Sequence, residues 1–134
     1  MNLGKSLEDY LETVLILQNK QGSVRSVDIA CHMNFSKPSV CHAVKVLKEK
    51  GLLTMNQDGF LYLTEQGQSH AEKIYERHQF FTKQLIAAGV DEVTAEQDAC
   101  RIEHAISDTS FRKLKEKADG SITDHQAYGD IEIL

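Results

Sequence analysis

The stretch that decides the fold is residues 26–64, SVDIACHMNFSKPSVCHAVKVLKEKGLLTMNQDGFLYLT. Ser26 can cap a short helix over residues 27–33, and Asn34 can end that helix in the left-handed conformation. Ser36 can cap a second helix. Pro38 fits in the first turn of this helix, because amides there form no hydrogen bond within the helix. Two short helices joined by a tight turn predict a helix-turn-helix.

A β-hairpin follows the second helix directly. Gly51 ends the helix, and two strand-like runs then flank Asp58 and Gly59, a pair that strongly favours a hairpin turn. A hairpin in this position is the wing of a winged helix. The sequence therefore predicts a mainly α fold with a small β-wing.

The flanking segments are helical in pattern. An amphipathic helix begins near Ser6, and another begins after Thr64, whose hydroxyl is a candidate cap. Gly67 costs a helix interior about 1 kcal/mol relative to alanine, so a start just beyond Gly67 is an alternative. A further helix precedes Asp108, which is a candidate cap for a short last helix ending near residue 118.

These elements predict three regions. Residues 1–63 form a winged helix-turn-helix domain, and residues 64–118 form a helical dimerisation domain that also contains the candidate metal-binding residues His78, Cys100, Glu103 and His104. The helical part is too small to bury a core alone, so we expect it to pack against a second copy in a homodimer. Residues 119–134 form an acidic tail without a convincing period, which can be disordered.

Composition favours a cytoplasmic protein. The 134 residues carry a formal net charge of -5 and three cysteines, an odd number that is a poor disulfide framework. No apolar run approaches the roughly 20 residues that span a membrane, and the first apolar stretch contains acids, unlike a signal peptide.

Charge is unevenly distributed along the chain. Residues 20–50 hold six bases against two acids, whereas residues 64–134 hold eight bases against fourteen acids. A basic segment that coincides with a helix-turn-helix indicates binding to double-stranded DNA. The alternative for any single lysine is an ordinary solvated helix face.

The start of the second helix of such a motif meets base edges, and nearby bases contact phosphates. Lys50 and the wing tip at residues 56, 57 and 59 are further candidates for backbone contact. The predicted DNA-binding residues are Arg25, Ser36, Lys37, Pro38, Ser39, His42, Lys45 and Lys48.

A second set of side chains could bind a metal ion. Cys100, Glu103 and His104 follow helical spacing and share one face, as do Asp9 and Glu12 on the first helix. His78 lies in the middle of the long helix after the wing. Spacing alone leaves a metal site and ordinary wet helix faces about equally favoured.

The other cysteines and histidines suggest no second site. Cys31 and Cys41, each followed by a histidine, are expected to fill core space in the helix-turn-helix. His70 and His125 have no partner that the sequence can argue for.

Several segments resemble the diphtheria-toxin-repressor family of metal-dependent regulators. They are SLEDYLETVLILQ, VDIACHMNFSKPSVCHAVKVLKEKGLL, LTEQG, ERHQFF and DACRIEHAISD, collinear over about residues 6–117. The resemblance implies a winged helix, a helical dimerisation domain and divalent metal between them. It also implies repression of metal-uptake genes when Mn(II) or Fe(II) is plentiful. The implied ligands are Asp9, Glu12, His78, Cys100, Glu103 and His104.

The branch of the family is mixed in character. The acid pair Asp9 and Glu12 is similar to the manganese branch, whereas Cys100 is similar to the iron branch. Hard oxygen donors suit Mn(II), and a thiolate favours Fe(II), Zn(II) or Co(II). We expect Mn(II) or Fe(II), with Zn(II) or Co(II) as alternatives.

Two other functions stay open at this point. One is a winged-helix regulator that does not sense metal. The other, less favoured, is a small metallohydrolase with water on an open metal position. The sequence contains no nucleophile–base pair and no phosphate-binding loop, so an enzyme is not expected.

Overall fold

The computed structural model describes the backbone of residues 3–128 and the side chains of residues 3–119. The chain divides into two compact units, one ending at Glu76 and the other beginning at Arg77. The elements are α1 (Lys5–Gln21), β1 (Val24–Arg25), α2 (Ser26–Met33), α3 (Lys37–Glu49), β2 (Leu53–Met55), β3 (Phe60–Leu63), α4 (Glu65–Ala87), α5 (Glu92–Ala105) and α6 (Asp108–Tyr128).

The N-terminal unit confirms the winged helix. Its fully buried residues come from α1, α2, α3 and the hairpin, among them Leu11, Ile29, Leu47 and Leu61. The strands form an antiparallel sheet in the order β1-β3-β2. Strand β1 was not predicted from the sequence, because a strand of two residues shows no periodicity.

The boundary between the units falls later than the predicted one at residue 63. Ala71 of α4 is buried in the core of the N-terminal unit, and Tyr75 packs against that core. The first turns of α4 therefore belong to the N-terminal unit, and the division falls inside this helix.

Three helix starts differ from the predictions. In α6 the predicted cap Asp108 is the first helical residue, and Oγ of Ser107 accepts the Ser110 amide at 3.1 Å in its place. Helix α1 begins at Lys5 after Gly4, whose φ is 82°, and not after Ser6. Helix α2 includes Ser26, and its cap is Arg25, whose amide donates to Oδ2 of Asp28 at 2.9 Å. The Asp28 carboxylate, three residues after Arg25, thus satisfies the backbone amide of the cap residue, and Ser26 is not the cap.

Gly67 lies inside α4, so the alternative start beyond it is wrong. The Thr64 side chain accepts the Gly67 amide at 3.0 Å and caps the helix as predicted. A Cβ at residue 67 would lie 2.0 Å from the carbonyl oxygen of Leu52. Only glycine permits this close approach, and it outweighs the low helix propensity of the residue.

The expectation that Cys31 and Cys41 fill core space is wrong. Both thiols are exposed. Cys41 follows the buried Val40, which begins the apolar stripe of α3, so its own side chain falls on the solvent side.

The C-terminal unit contains an aromatic cluster. Phe81, Ala99 and Phe111 are buried together, and Phe80 packs edge-on against Phe111 with ring centroids 5.4 Å apart. This cluster joins α4, α5 and α6.

Helix α6 is longer than predicted. It continues to Tyr128, whereas the pattern predicted an end near residue 118 and a tail that can be disordered. A single glycine at position 120 costs a helix only about 1 kcal/mol, which does not by itself end it. Residues 129–134 of the predicted tail, at the C-terminus, lie outside the described residues.

Among the described residues, no helix combines the length and the apolar character that crossing a membrane requires.

Candidate metal centre and nucleic-acid interface

The centre of the candidate metal site is the carboxylate of Glu103 in the last turn of α5. Its side chain is 0% exposed. Nδ1 of His78, from the facing part of α4, lies 2.7 Å from Oε1 of Glu103. A fully buried carboxylate needs charge or hydrogen-bond partners, and this imidazole supplies one.

The other carboxylate oxygen of Glu103 is less well satisfied. Nε2 of His104 lies 3.2 Å from Oε2, within ion-pair distance. The contact lacks hydrogen-bond geometry, and Oε2 has no hydrogen-bond partner among the described residues. Orientation decides the strength of a contact at this distance, so His104 satisfies this oxygen less well than His78 satisfies Oε1.

Cys100 completes the cluster on α5. One ligand atom each from Cys100, Glu103 and His104 lie within 4.8 Å of one another. The thiol is half-buried, and the side chain of His104 is only 4% exposed. The C-terminal unit therefore brings together four of the six predicted ligands.

These residues fit a first-row divalent cation. They offer imidazole, carboxylate and thiol donors around a buried oxygen that lacks a hydrogen bond. Imidazole suits Zn, Cu, Fe and Ni, carboxylate suits Mn, and thiolate favours the softer ions.

The two predicted ligands in α1 are described within the N-terminal unit alone. Asp9 forms an ion pair with Lys5, with Oδ2 and Nζ 2.8 Å apart, and its side chain is 22% exposed. Glu12 is buried and lies three residues further along the helix. Their assignment as ligands remains a prediction.

The predicted DNA-binding surface is exposed and locally ordered. Oγ of Ser36 accepts the amide of Ser39 at 3.3 Å and caps α3. Lys37, Lys45 and His42 are all exposed on this helix. Pro38 and Lys48 are exposed as well, so the surface of α3 keeps its basic residues in solvent.

Arg25 lies in β1, the strand that pairs with β3 of the wing. Its guanidinium carbon lies 4.2 Å from the centroid of the Phe60 ring. The two residues are also paired across β1 and β3. Cation–π contact holds the arginine against the wing while its charge remains.

Two buried polar residues, Glu8 and Arg77, were not predicted from the sequence. His70 does have a partner: its Nε2 lies 2.8 Å from Oε2 of Glu8. Arg77 is 5% exposed and donates to the end of α5. The RH pair in ERHQFF was the only signal for Arg77, and nothing in the sequence pointed to Glu8.

Comparison with known families identifies the class of the protein. Residues 2–61 match the iron dependent repressor N-terminal DNA binding domain. Residues 64–125 match the iron dependent repressor metal binding and dimerisation domain. The chain belongs to the iron-dependent repressor family, and it is a metal-responsive DNA-binding transcriptional regulator.

Relatives support this assignment across most of the chain. An uncharacterised HTH-type transcriptional regulator of Methanocaldococcus jannaschii is 31% identical over 115 residues, which are 84% of this chain and 92% of that protein. The transcriptional regulator MntR of Escherichia coli O157:H7 is 32% identical over 114 residues, which are 83% of this chain and 74% of MntR.

The fold is shared with solved structures of manganese regulators. The manganese regulator SloR is 26% identical with a TM-score of 0.75, over 89% of this chain and 55% of SloR. A manganese-dependent transcriptional repressor in complex with manganese is 25% identical with a TM-score of 0.74, over 83% of this chain and 51% of that one. The chain thus spans about half the length of these two proteins.

Proposed function

We propose that this regulator binds Mn(II) or Fe(II) and represses genes for metal uptake as a homodimer on a DNA operator. Zn(II) and Co(II) are alternatives that the donor set also accepts. The observation that carries the proposal is the buried Glu103 carboxylate between His78 and His104, with Cys100 beside it.

The proposed ligands are Asp9, Glu12, His78, Cys100, Glu103 and His104. The four C-terminal residues are supported by their proximity within one unit. Asp9 and Glu12 are included because of the resemblance and because their spacing places both on one face of α1. A bound divalent cation would supply positive charge that offsets the carboxylates and the Cys100 thiolate.

Regulation then follows from linkage. If metal binds more tightly to the DNA-competent form of the protein, DNA must raise the affinity for metal by the same factor. The basic residues of α3 bind phosphates, and the residues at its start contact base edges. A protein with these tasks acts where the DNA is, so we propose a cytoplasmic location.

Titrating metal against DNA binding tests this function. Metal-stripped protein is mixed with a random duplex library under reducing, anaerobic conditions, with Mn(II), Fe(II) or Zn(II) added separately. We expect selected duplexes only when metal is present. Equal binding without metal would favour the alternative of a regulator that does not sense metal.

A pair of variants in α4 controls for the folding of the protein. Metal should no longer induce DNA binding in His78→Ala, because the substitution removes a proposed ligand. Gln79→Ala, at the neighbouring exposed position, should retain it. Loss of binding in both variants would point to a general structural effect and count against the proposed role of His78.

A further inference from the structure

Arg77 is a buried cation that the proposed ligand set does not use. It is 5% exposed and lies next to His78 in α4. Its hydrogen-bond acceptors and the aromatic ring that it contacts lie within the C-terminal unit. Burying a guanidinium is costly unless several acceptors compensate, so each contact indicates what this residue stabilises.

Two of its acceptors are backbone carbonyls at the end of α5. Nη1 donates to the carbonyl of Ile106 at 2.6 Å and to that of Glu103 at 3.2 Å. The last carbonyls of a helix have no partner inside the helix. A cation at this end also interacts favourably with the helix dipole. Arg77 therefore fixes the turn from which the Glu103 and His104 side chains project.

The same side chain also holds the start of α6. Nη2 forms a hydrogen bond and ion pair with Oδ1 of Asp108, the first residue of that helix. The guanidinium carbon lies 5.4 Å from the centroid of the Phe111 ring. A planar fork with several donors can make these contacts together, which a lysine ammonium cannot do in the same geometry.

We propose that Arg77 is a positioning residue for the metal centre. Arg77 is adjacent to His78 in α4, and its guanidinium donates a hydrogen bond to the backbone carbonyl of Glu103 in α5. It thereby sets the distance between Nδ1 of His78 and Oε1 of Glu103, which is 2.7 Å. The inference rests on the proposed metal-binding function, and it assigns a role to the arginine and the aspartate of the segments RH and EHAISD.

The test compares Arg77→Lys with Arg101→Lys. Both substitutions keep the charge. Arg101 lies on the same helix as Glu103, but its ion pair with Asp98 is exposed. Changes in residues that orient metal ligands typically reduce metal affinity by about 10- to 100-fold. We expect Arg77→Lys to reduce the metal affinity by this factor. The control Arg101→Lys should keep a metal affinity within about twofold of the wild type.

A second readout separates positioning from mere stabilisation of the fold. The visible absorption spectrum at saturating Co(II) reports ligand geometry in the molecules that are folded and loaded. Arg77→Lys should change the positions or intensities of the Co(II) bands, and Arg101→Lys should leave them as in the wild type. A wild-type spectrum and affinity in Arg77→Lys would overturn the inference.

If Arg77→Lys does not fold, Asp108→Asn can be tested by the same measurements of metal affinity and Co(II) absorption. It keeps an oxygen acceptor but removes the charge that faces Nη2, so a smaller change in the same direction is expected. A spectrum and affinity identical to wild type in Asp108→Asn would also contradict the inference. If the wild type itself binds no Mn(II), Fe(II), Zn(II) or Co(II), the proposed function fails instead.

Discussion

Nδ1 of His78 and Oε1 of Glu103 lie 2.7 Å apart, although 25 residues separate them in the chain. This pair places a carboxylate that is 0% exposed against an imidazole that is 25% exposed. The site is therefore defined by tertiary packing between α4 and α5. The same arrangement makes Glu103 the residue whose alteration should be most informative.

Glu103→Gln should abolish stabilisation by metal without unfolding the protein. Glutamine has nearly the same shape but lacks the charge that a cation requires. Metal at 100 times its Kd should stabilise the wild type by about 2.7 kcal/mol. Thermal unfolding with and without Mn(II) measures this difference. Glu116→Gln, at an exposed position of α6, should keep the full shift. A full metal-induced shift in Glu103→Gln would exclude this carboxylate as a ligand.

Gly67→Ala should destabilise the N-terminal unit. Alanine normally favours a helix over glycine by about 1 kcal/mol, but here its Cβ would lie 2.0 Å from the Leu52 carbonyl oxygen. Overpacking of this kind costs roughly 1–3 kcal/mol. Denaturant unfolding measures the change, and Ser69→Ala at an exposed site of α4 is the control. Increased stability in Gly67→Ala would show that the backbone relaxes freely there.

Lys45→Gln should weaken DNA binding in a salt-dependent manner. If Lys45 contacts a phosphate in each half of a dimer, the plot of log affinity against log salt should become less steep. Its negative slope should decrease in magnitude by about 1.8, which is about 0.9 for each lost contact. Lys83→Gln, an exposed lysine in the C-terminal unit, should leave the slope as it is. An unaltered slope for Lys45→Gln would mean that Lys45 is a solvated surface residue that contacts no phosphate.

Thiol labelling should separate the cysteines. Cys31 and Cys41 are exposed and should react rapidly, whereas the half-buried Cys100 should react more slowly. Saturating divalent metal should slow the reaction of Cys100 alone, because a coordinated thiolate is not free to attack the reagent. Mass spectrometry of each labelled peptide with time gives the rates. Equal labelling of Cys100 with and without metal would remove it from the ligand set.

Acid should loosen the start of α5 through Asp91. The hydrogen bond from the Thr94 backbone amide, 3.0 Å long, lowers the pKa of the Asp91 carboxyl below its ordinary value. Its contribution to stability is therefore complete above the ordinary carboxyl pKa and is lost as the pH falls through the lowered value. Amide hydrogen exchange of residues 92–95 across this range measures the effect.

Asp91→Asn is the control for this prediction. Asparagine also accepts the Thr94 amide but does not titrate, and it is a good N-cap residue. The variant should keep α5 folded and should lack this acid-dependent loosening. The same pH dependence in both proteins would mean that another group is responsible.

Local features of the fold were predictable from the sequence because their partners are near in the chain. Ser36 and Thr64 cap helices through amides three residues away, and the turn before Gly59 closes a hairpin of short strands. Their side-chain chemistry alone specifies these contacts.

Contacts between distant residues were less predictable. The partners of Arg77 and of His70 lie 31 and 62 residues away, at Asp108 and Glu8. No periodicity relates such pairs. The sequence therefore indicated the proposed metal ligands on α5, but not that Arg77 binds the carbonyls at the end of that helix. The exposure of Cys41 likewise depends on which face of α3 is buried.

The stacking of Arg25 on Phe60 bears on the entropy that Arg25 would lose in the predicted contact with DNA. A free arginine side chain loses up to about 2 kcal/mol of rotamer entropy when it is immobilised. Here the ring already restricts the side chain at 4.2 Å from the guanidinium carbon, before any phosphate arrives. If Arg25 contacts a phosphate, as predicted from the sequence, its side chain is therefore partly preorganised for that contact. Replacing Phe60 with a small aliphatic residue would then weaken DNA binding while leaving the charge of Arg25 intact.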